Sequence, residues 1–400
     1  MNSRPFDVLI VGAGPAGLAA ARRAGECGKT VAIIDDNPAP GGQIWRSLEL
    51  PVWSRQSRVT HFAGTRVVAA PRPNCLAVET ADDAFDLSWR SLVLATGARE
   101  RFLPFPGWTL PHVTGAGGLQ ALAKSGLPVA GKRVVIAGSG PLLLAVAKYL
   151  KDHGARVSAI AEQADLSSLR RFAVGLAAHP GKLMQAVGLR AGLRGIPYLT
   201  GCWPVGAEIG TVTLRRGAKT WTEACDYLAC GFGLIPNLEL AALLGCRLGD
   251  AGVEVDNDQR TSEPGIFAAG EITGIGGLEL SLAEGEIAGY AAAGKPEAAG
   301  RSRRARASAR RFAAGMDRAF GLRAELKSIA DDATLICRCE DVPLGRLRHY
   351  SAWREAKLHT RCGMGACQGR VCGGAASFLL GWKVESARPP VFPARVGSLK

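Results

Sequence analysis

The sequence predicts an α/β chain in which a strand, a glycine-rich turn and a helix are laid down twice, followed by a small cysteine-rich domain. Three observations predict it. One such unit opens the chain at residues 7–36, a second begins at residue 132, and five of the eleven cysteines fall between Cys337 and Cys372. At about 100–200 residues per domain, 400 residues suit two or three domains with their own cores, which excludes a small disulfide-held scaffold.

The first unit reads Asp7-Val-Leu-Ile-Val11, then Gly12-Ala-Gly14-Pro15-Ala16-Gly17, then an Ala-rich helical stretch to Gly28. A second apolar run, Thr30 to Ile34, ends in Asp35-Asp36. This is the Rossmann βαβ pattern, and each piece has a physical role. Gly12 permits the tight turn, Gly14 lets the backbone approach a pyrophosphate, and Gly17 lets helix and strand pack closely. Free N–H groups at the helix start favour phosphate, and Asp35, with Asp36 as fallback, is placed to accept from ribose hydroxyls.

The second unit, Lys132-Arg-Val-Val-Ile-Ala-Gly138-Ser-Gly140-Pro-Leu-Leu143, has Leu143 where the third glycine belongs. That substitution predicts looser helix–strand packing and a retained but repurposed fold. Glu162 closes its second strand. Nicotinamide, another adenine nucleotide and an empty fold stay open here. Cys225 and Cys230 read as opposite faces of one strand, hence packing residues rather than a redox pair, and Cys27, Cys75, Cys202 and Cys246 have no partner pattern.

The late cysteines form Cys337-Arg-Cys339 and, beyond a spacer, Cys362-Gly-Met-Gly-Ala-Cys367-Gln-Gly-Arg-Val-Cys372. Close-set thiolates suit zinc or an iron–sulfur cluster; the tight C-x-C pair, the interleaved glycines and Arg338, Arg361 and Arg370 favour iron–sulfur. Residues 301–327 carry nine basic and two acidic side chains, half of the chain's net charge of +14. No stacking aromatics are interleaved, so a helical connector with Phe312, Met316 and Phe320 as its buried stripe is expected rather than nucleic-acid binding. No apolar run is long enough to span a bilayer and MNSRPFDVLIVGAG passes straight into a strand, which predicts a cytoplasmic protein with reduced thiols.

DVLIVGAGPAGLAAA resembles the FAD-binding opening of the two-dinucleotide-binding-domain flavoproteins. Three later segments fit the same family: Pro40-Gly-Gly42-Gln43-Ile, Leu94-Ala95-Thr96-Gly97-Ala, and Gly265-Ile-Phe-Ala-Ala-Gly270-Glu271. The resemblance implies that Gly270 and Glu271 lie at a helix start against FAD, with Glu271 replacing the usual Asp. The cysteine segment is similar to the [2Fe-2S] domain of the bacterioferritin-associated ferredoxin (BFD) type, which implies Cys337, Cys339, Cys367 and Cys372 as ligands and leaves Cys362 spare.

Together these motifs resemble the α subunit of heteromeric FAD-dependent amine and amino-acid dehydrogenases, the opine oxidase, D-hydroxyproline dehydrogenase, dye-linked proline dehydrogenase and hydrogen cyanide synthase group. The resemblance implies two Rossmann-like dinucleotide-binding domains: an FAD domain split between residues 1–118 and 238–299, and a degenerate NAD(P)-type domain at 119–237. A basic connector follows at 300–331, then a BFD-like domain at 332–382 and a tail at 383–400. It implies FAD and [2Fe-2S] as cofactors, NAD(P) or another adenine nucleotide being open at the second site. The implied partners are a catalytic flavin-containing β subunit, with a small ferredoxin-like subunit or a respiratory acceptor, placing the chain in the cytoplasm or at a membrane through those partners. No residue offers itself as a catalytic acid or base. The alternative is a free-standing NAD(P)H-dependent flavin oxidoreductase.

Overall fold

A computed structural model describes residues 3–46, 59–383 and 387–398, and the chain divides into two compact units. The first comprises residues 1–99, 235–313 and 386–400; the second comprises 100–234 and 314–385.

The chain opens on β1 (Ser3–Val11), whose Val8, Leu9 and Ile10 are fully buried, and turns through Gly12 into α1 (Pro15–Glu26). Proline at the first helical position costs no hydrogen bond, because that N–H has no partner inside a helix. Strands β2 (Val31–Ile34) and β3 (Val59–Phe62) extend the sheet on one side; β4 (Arg66–Arg72), β5 (Cys75–Glu79) and β6 (Ala84–Leu94) form an antiparallel meander on the other. Strand β7 (Ala98–Glu100) leads out of this unit.

The second unit begins with β8 (Val113–Gly115) and α2 (Ala116–Lys124). The second glycine-turn motif then supplies β9 (Arg133–Gly138), α3 (Leu142–Asp152) and β10 (Arg156–Glu162). Helices α4 (Leu166–Gly175) and α5 (Pro180–Gly192) lead to β11 (Tyr198–Thr200). An antiparallel sheet of β12 (Cys202–Glu208), β13 (Thr211–Arg216) and β14 (Lys219–Ala224) precedes β15 (Tyr227–Gly231). The parallel sheet has the order β11-β10-β9-β15-β8.

Strand β16 (Leu234–Pro236) returns the chain to the first unit, where α6 (Glu239–Leu243), β17 (Ile266–Ala268) and α7 (Gly277–Ala292) follow. Strand β17 pairs in parallel with β6, completing a seven-stranded sheet of order β3-β2-β1-β6-β5-β4. Helix α7 lies against α1 at backbone contact. A Cβ on Gly285 would sit 2.2 Å from the Ala16 carbonyl oxygen, and one on Gly289 2.4 Å from that of Ala20. Only glycine allows that approach. The closing segment is tied to this unit by Val391 N–H donating to Val68 O (2.8 Å) and by Arg395 donating to the Thr80 and Ala81 carbonyls.

The basic stretch is α8 (Gly300–Phe320), 21 residues long. Its buried positions are Ser302, Arg306, Ala313 and Ala319, while Phe312, Met316 and Phe320 are only half-buried. The expected aromatic stripe is therefore partial. In the first unit α8 faces polar groups: Arg306 donates to Asn257 O and Gln259 Oε1, and Arg303 pairs with Asp258. Within the second unit, strands β18 (Leu335–Cys337) and β19 (Val342–Pro343) pair antiparallel. Short α9 (Leu344–Leu347), α10 (Trp353–Thr360) and α11 (Cys372–Leu380) complete a small core around Ile336, Leu347, Trp353 and Ala376.

Candidate flavin cradle and thiolate centre

The carboxyl ends of β1, β2, β6 and β17 meet at one edge of the first unit's sheet, where parallel α/β folds place their ligands. Gly12, at φ +107°, follows β1 and donates to Ile34 O (2.8 Å); a Cβ there would stand 2.1 Å from the Ala95 carbonyl oxygen. Gly17 is as constrained, its Cβ position lying 1.8 Å from the Gly12 oxygen. Gly14 differs, having no atom within 4 Å of that position. Two of the three glycines serve packing, and the middle one opens onto space beside the start of α1. Pro15 and Ala16 are buried in that first turn.

Asp35 is buried at the end of β2. Ala13 N–H donates to its Oδ2 (2.5 Å), and Asn37 N–H to its Oδ1 (2.8 Å). Asn37 Nδ2 also donates to Oδ1 (2.7 Å); a carboxylate has about four acceptor positions, so these three bonds orient it and leave about one for a ribose hydroxyl. Asp36 is exposed, with Arg66 Nε 4.0 Å away. The 40–43 loop lies on the glycine turn: Gly41 donates to Ala13 O (2.8 Å) and a Cβ on Gly42 would come 3.1 Å from Gly14 Cα. Gln43 beside it is exposed. Ala95 donates to Val11 O, and Thr96 Oγ1 donates to Asn237 O, whose own N–H returns a bond to Gly97 O.

Gly270, at φ +81°, follows β17; a Cβ would approach that of Ala16 to 2.7 Å. Residues Glu271–Thr273 form a 3₁₀ turn, and α7 begins only at Gly277, so the segment is a tight turn rather than a helix start. Burial pushes the Glu271 carboxyl up. The sequence reading missed Glu284. This fully buried acid on α7 accepts from Gly270 N–H (3.1 Å) and Thr273 Oγ1 (2.7 Å) with one oxygen, and from Arg310 Nη2 (2.9 Å) with the other. Helix α7 also carries Glu279 and Glu286, so nothing in the local sequence singles Glu284 out.

The second glycine turn is differently occupied. Gly138 still packs on β15, its Cβ position 2.0 Å from Gly231 O. Leu143 is buried without disrupting the core, because Gly231 faces it and a Cβ there would be 3.2 Å from Leu143 Cδ2. Glu162 is fully buried and accepts from Gly140 N–H and Ala164 N–H, both at 2.8 Å; desolvation raises its carboxyl to about 7. Ser139 Oγ donates to Phe320 O (2.7 Å), Gln163 Nε2 to Ser139 Oγ (2.9 Å) and Gly321 O (3.1 Å), and Arg323 N–H to Gln163 Oε1 (3.1 Å). The chain's own residues 320–323 thus sit on the turn that would cradle a nucleotide diphosphate.

The five late cysteines come together. The sulfurs of Cys337, Cys362 and Cys372 lie within 4.8 Å of one another, all three buried. Cys367 is half-buried and Cys339 exposed, both outside that trio. Cys372 pulls the Cys367 thiol down, while Cys362 and Cys367 push Cys372 up. The segment is built by glycine: Gly363 and Gly369 take φ near +80° against the Trp353 ring, and Gly365 lies under Cys339. Trp108 Nε1 donates to Leu335 O (2.6 Å), and the Arg338 guanidinium stands 5.5 Å from the Trp108 ring centre. Among the described residues no other His, Cys, Asp or Glu group offers comparable metal-ligand geometry.

Cys225 lies just before β15 rather than on it, and it shares one apolar core with Cys230. Burial drives the Cys225 thiol up to about 11 and raises Cys230 as well, so both are packing thiols. Cys27, Cys75 and Cys246 of the first unit are free thiols.

A glycine-turn cradle of this design defines a flavin-type oxidoreductase fold, and residues 6–295 match the pyridine nucleotide-disulphide oxidoreductase family. The chain belongs to that family. It is 33% identical to the hydrogen cyanide synthase component HcnB of Pseudomonas aeruginosa, over 94% of this chain and 92% of that protein. It is 29% identical to an opine oxidase subunit from Rhizobium meliloti, over 98% and 87%. Its fold is similar to L-proline dehydrogenase from P. horikoshii (TM-score 0.71, 19% identity, covering all of this chain and 80% of that one).

Proposed function

We propose that the chain is the electron-transfer subunit of a hetero-oligomeric dehydrogenase, with FAD held in the first unit and a [2Fe-2S] cluster in the second. A separate catalytic flavin subunit would oxidise an opine, proline, D-hydroxyproline or a similar secondary amine. The observation that carries this reading is that one chain combines a Gly14–Asp35–Gly270 cradle with a five-thiol centre. Family members that reduce disulfides need a dithiol, and the first unit's three cysteines are free and scattered. The subunit names of the relatives support a partnered assembly.

In this reading the N–H groups at the start of α1 face the FAD diphosphate, Asp35 takes the ribose, and Gly270 gives the close approach its φ allows. FAD supplies two-electron chemistry and the cluster one-electron transfer, so these residues position and tune the cofactors and no catalytic acid or base is required. Cys337, Cys339, Cys367 and Cys372 are the proposed ligands. The second turn, closed by Phe320, counts against NAD(P)H as reductant.

Co-purification with the products of neighbouring genes, followed by a dye-reduction screen, tests the assignment. The complex is expected to reduce dye with an opine, proline or hydroxyproline, and the isolated chain to be inert. Amine oxidation by the isolated chain at rates like the complex's would refute it.

A further inference from the structure

We propose that Cys362 is a reserve ligand of the cluster centre, able to take the coordination position of Cys339. The inference rests on the iron–sulfur reading and goes beyond it, because that reading leaves Cys362 without a role.

A binuclear cluster takes four thiolates, and this segment brings five: the sulfurs of Cys337, Cys362 and Cys372 lie within 4.8 Å of one another, and on the turn that follows Cys362 the Cβ position of Gly365 is 3.4 Å from the Cys339 sulfur. Cys362 is the more deeply placed of the two candidates for one position. It is fully buried, whereas Cys339 is exposed and is the thiol that oxidants or alkylating agents reach first. The local fold drives Cys362 inward. Arg361 caps α10 in the left-handed conformation (φ +65°), Gly363 follows at φ +78°, and Cys362 N–H is held by Thr360 Oγ1 (3.2 Å).

The loops bearing the two cysteines are also clamped to each other. Glu340, next to Cys339, pairs with Arg361, next to Cys362, at 2.7 Å. A Cβ on Gly365 would be 2.3 Å from that of Cys339, so the 363–365 turn directly underlies it. Exchange therefore needs no rearrangement of distant elements. In the exchanged state Cys337, Cys362, Cys367 and Cys372 would hold the cluster, the Cys362 thiol would give its proton to water, the displaced Cys339 thiolate would take one up, and no electrons would be transferred.

The test compares full-length wild type, Cys339→Ser, Cys362→Ser, Cys339→Ser/Cys362→Ser and Cys367→Ser, purified anaerobically. Iron, acid-labile sulfide, visible absorbance and the electron paramagnetic resonance of the reduced cluster are measured, with FAD content reporting the fold. Cys339→Ser is expected to keep most of its iron and sulfide with a shifted spectrum, while the double variant drops roughly tenfold or more. Iron in Cys339→Ser as low as in the double variant overturns the reserve role, as does complete cluster loss in Cys362→Ser alone, which would make Cys362 an ordinary fixed ligand. Wild type with zinc, or without iron and sulfide, overturns the cluster reading itself and is told apart by needing no variant. If serine variants lose FAD too, Cys339→Ala and iodoacetamide-treated wild type supply the same comparison, and loss of iron from both overturns the proposal.

Discussion

Arg310 reaches from the basic helix to Glu284, Nη2 to Oε1 at 2.9 Å, and the other oxygen of Glu284 takes the backbone N–H of Gly270. The acid side chain is 1% exposed and the arginine 47%. A turn proposed to face the flavin is therefore anchored through one buried carboxylate. Glu284→Ala strands Gly270 N–H and leaves Thr273 Oγ1 only the Gly270 carbonyl (3.0 Å), an expected cost of about 2–4 kcal/mol with loss of FAD. Arg310→Ala, at a half-exposed position, is expected to cost only about 0–1 kcal/mol. Urea titration and flavin content measure both, and equal effects of the two variants would contradict this ranking.

The three glycines of the first turn separate packing from binding. Gly17→Ala puts a methyl 1.8 Å from the Gly12 oxygen, so destabilisation of about 2–4 kcal/mol is expected. Gly14→Ala meets no protein atom within 4 Å, so thermal unfolding of the flavin-free chain should be nearly unchanged while FAD affinity falls. Paired calorimetry and flavin titration check the contrast; unaltered FAD affinity in Gly14→Ala would remove this turn from the site.

Residues close in sequence were legible and residues joined by the fold were not. The Gly12–Gly17 turn, Asp35 and the cysteine block carry their chemistry in fixed short spacings. Glu284 is paired with Gly270 and Arg310 only because α7 lies against α1 and α8 lies along this unit's polar face, which no periodicity encodes. The same holds for Phe320, 181 positions from Ser139. The Phe312-Met316-Phe320 stripe was overestimated because α8 buries Ser302 and Arg306 against hydrogen-bonding groups, a face that hydrophobic spacing cannot predict. Leu143 predicts looser helix–strand packing, yet Gly231 on the neighbouring strand makes room for it.

Closure of the second turn predicts a kinetic absence. Ser139, Gln163 and Arg323 hold residues 320–323 on the glycine turn, and Glu162 already takes the Gly140 N–H. Anaerobic mixing of the FAD-loaded chain with NADH or NADPH should leave the flavin band unbleached over the turnover time of the complex. Rapid bleaching in a stopped-flow record would favour the free-standing reductase instead.

Glu162 makes the second unit's stability depend on pH. Its carboxyl rises from the ordinary 4.5 to about 7 because burial disfavours the charged form more than the N–H donors favour it. The folded chain therefore holds this proton where the unfolded chain has released it. The stabilising contribution is complete below about 4.5, declines as pH rises, and is gone once pH passes about 7, a change of roughly 3 kcal/mol for this group. Glu162→Gln removes the titration, although its amide meets two backbone donors and lowers stability at every pH. Unfolding of wild type and variant at pH 5, 6, 7 and 8 should show wild-type stability falling across that range more steeply than the variant's. Parallel curves would mean that Glu162 does not bind its proton more tightly in the folded chain.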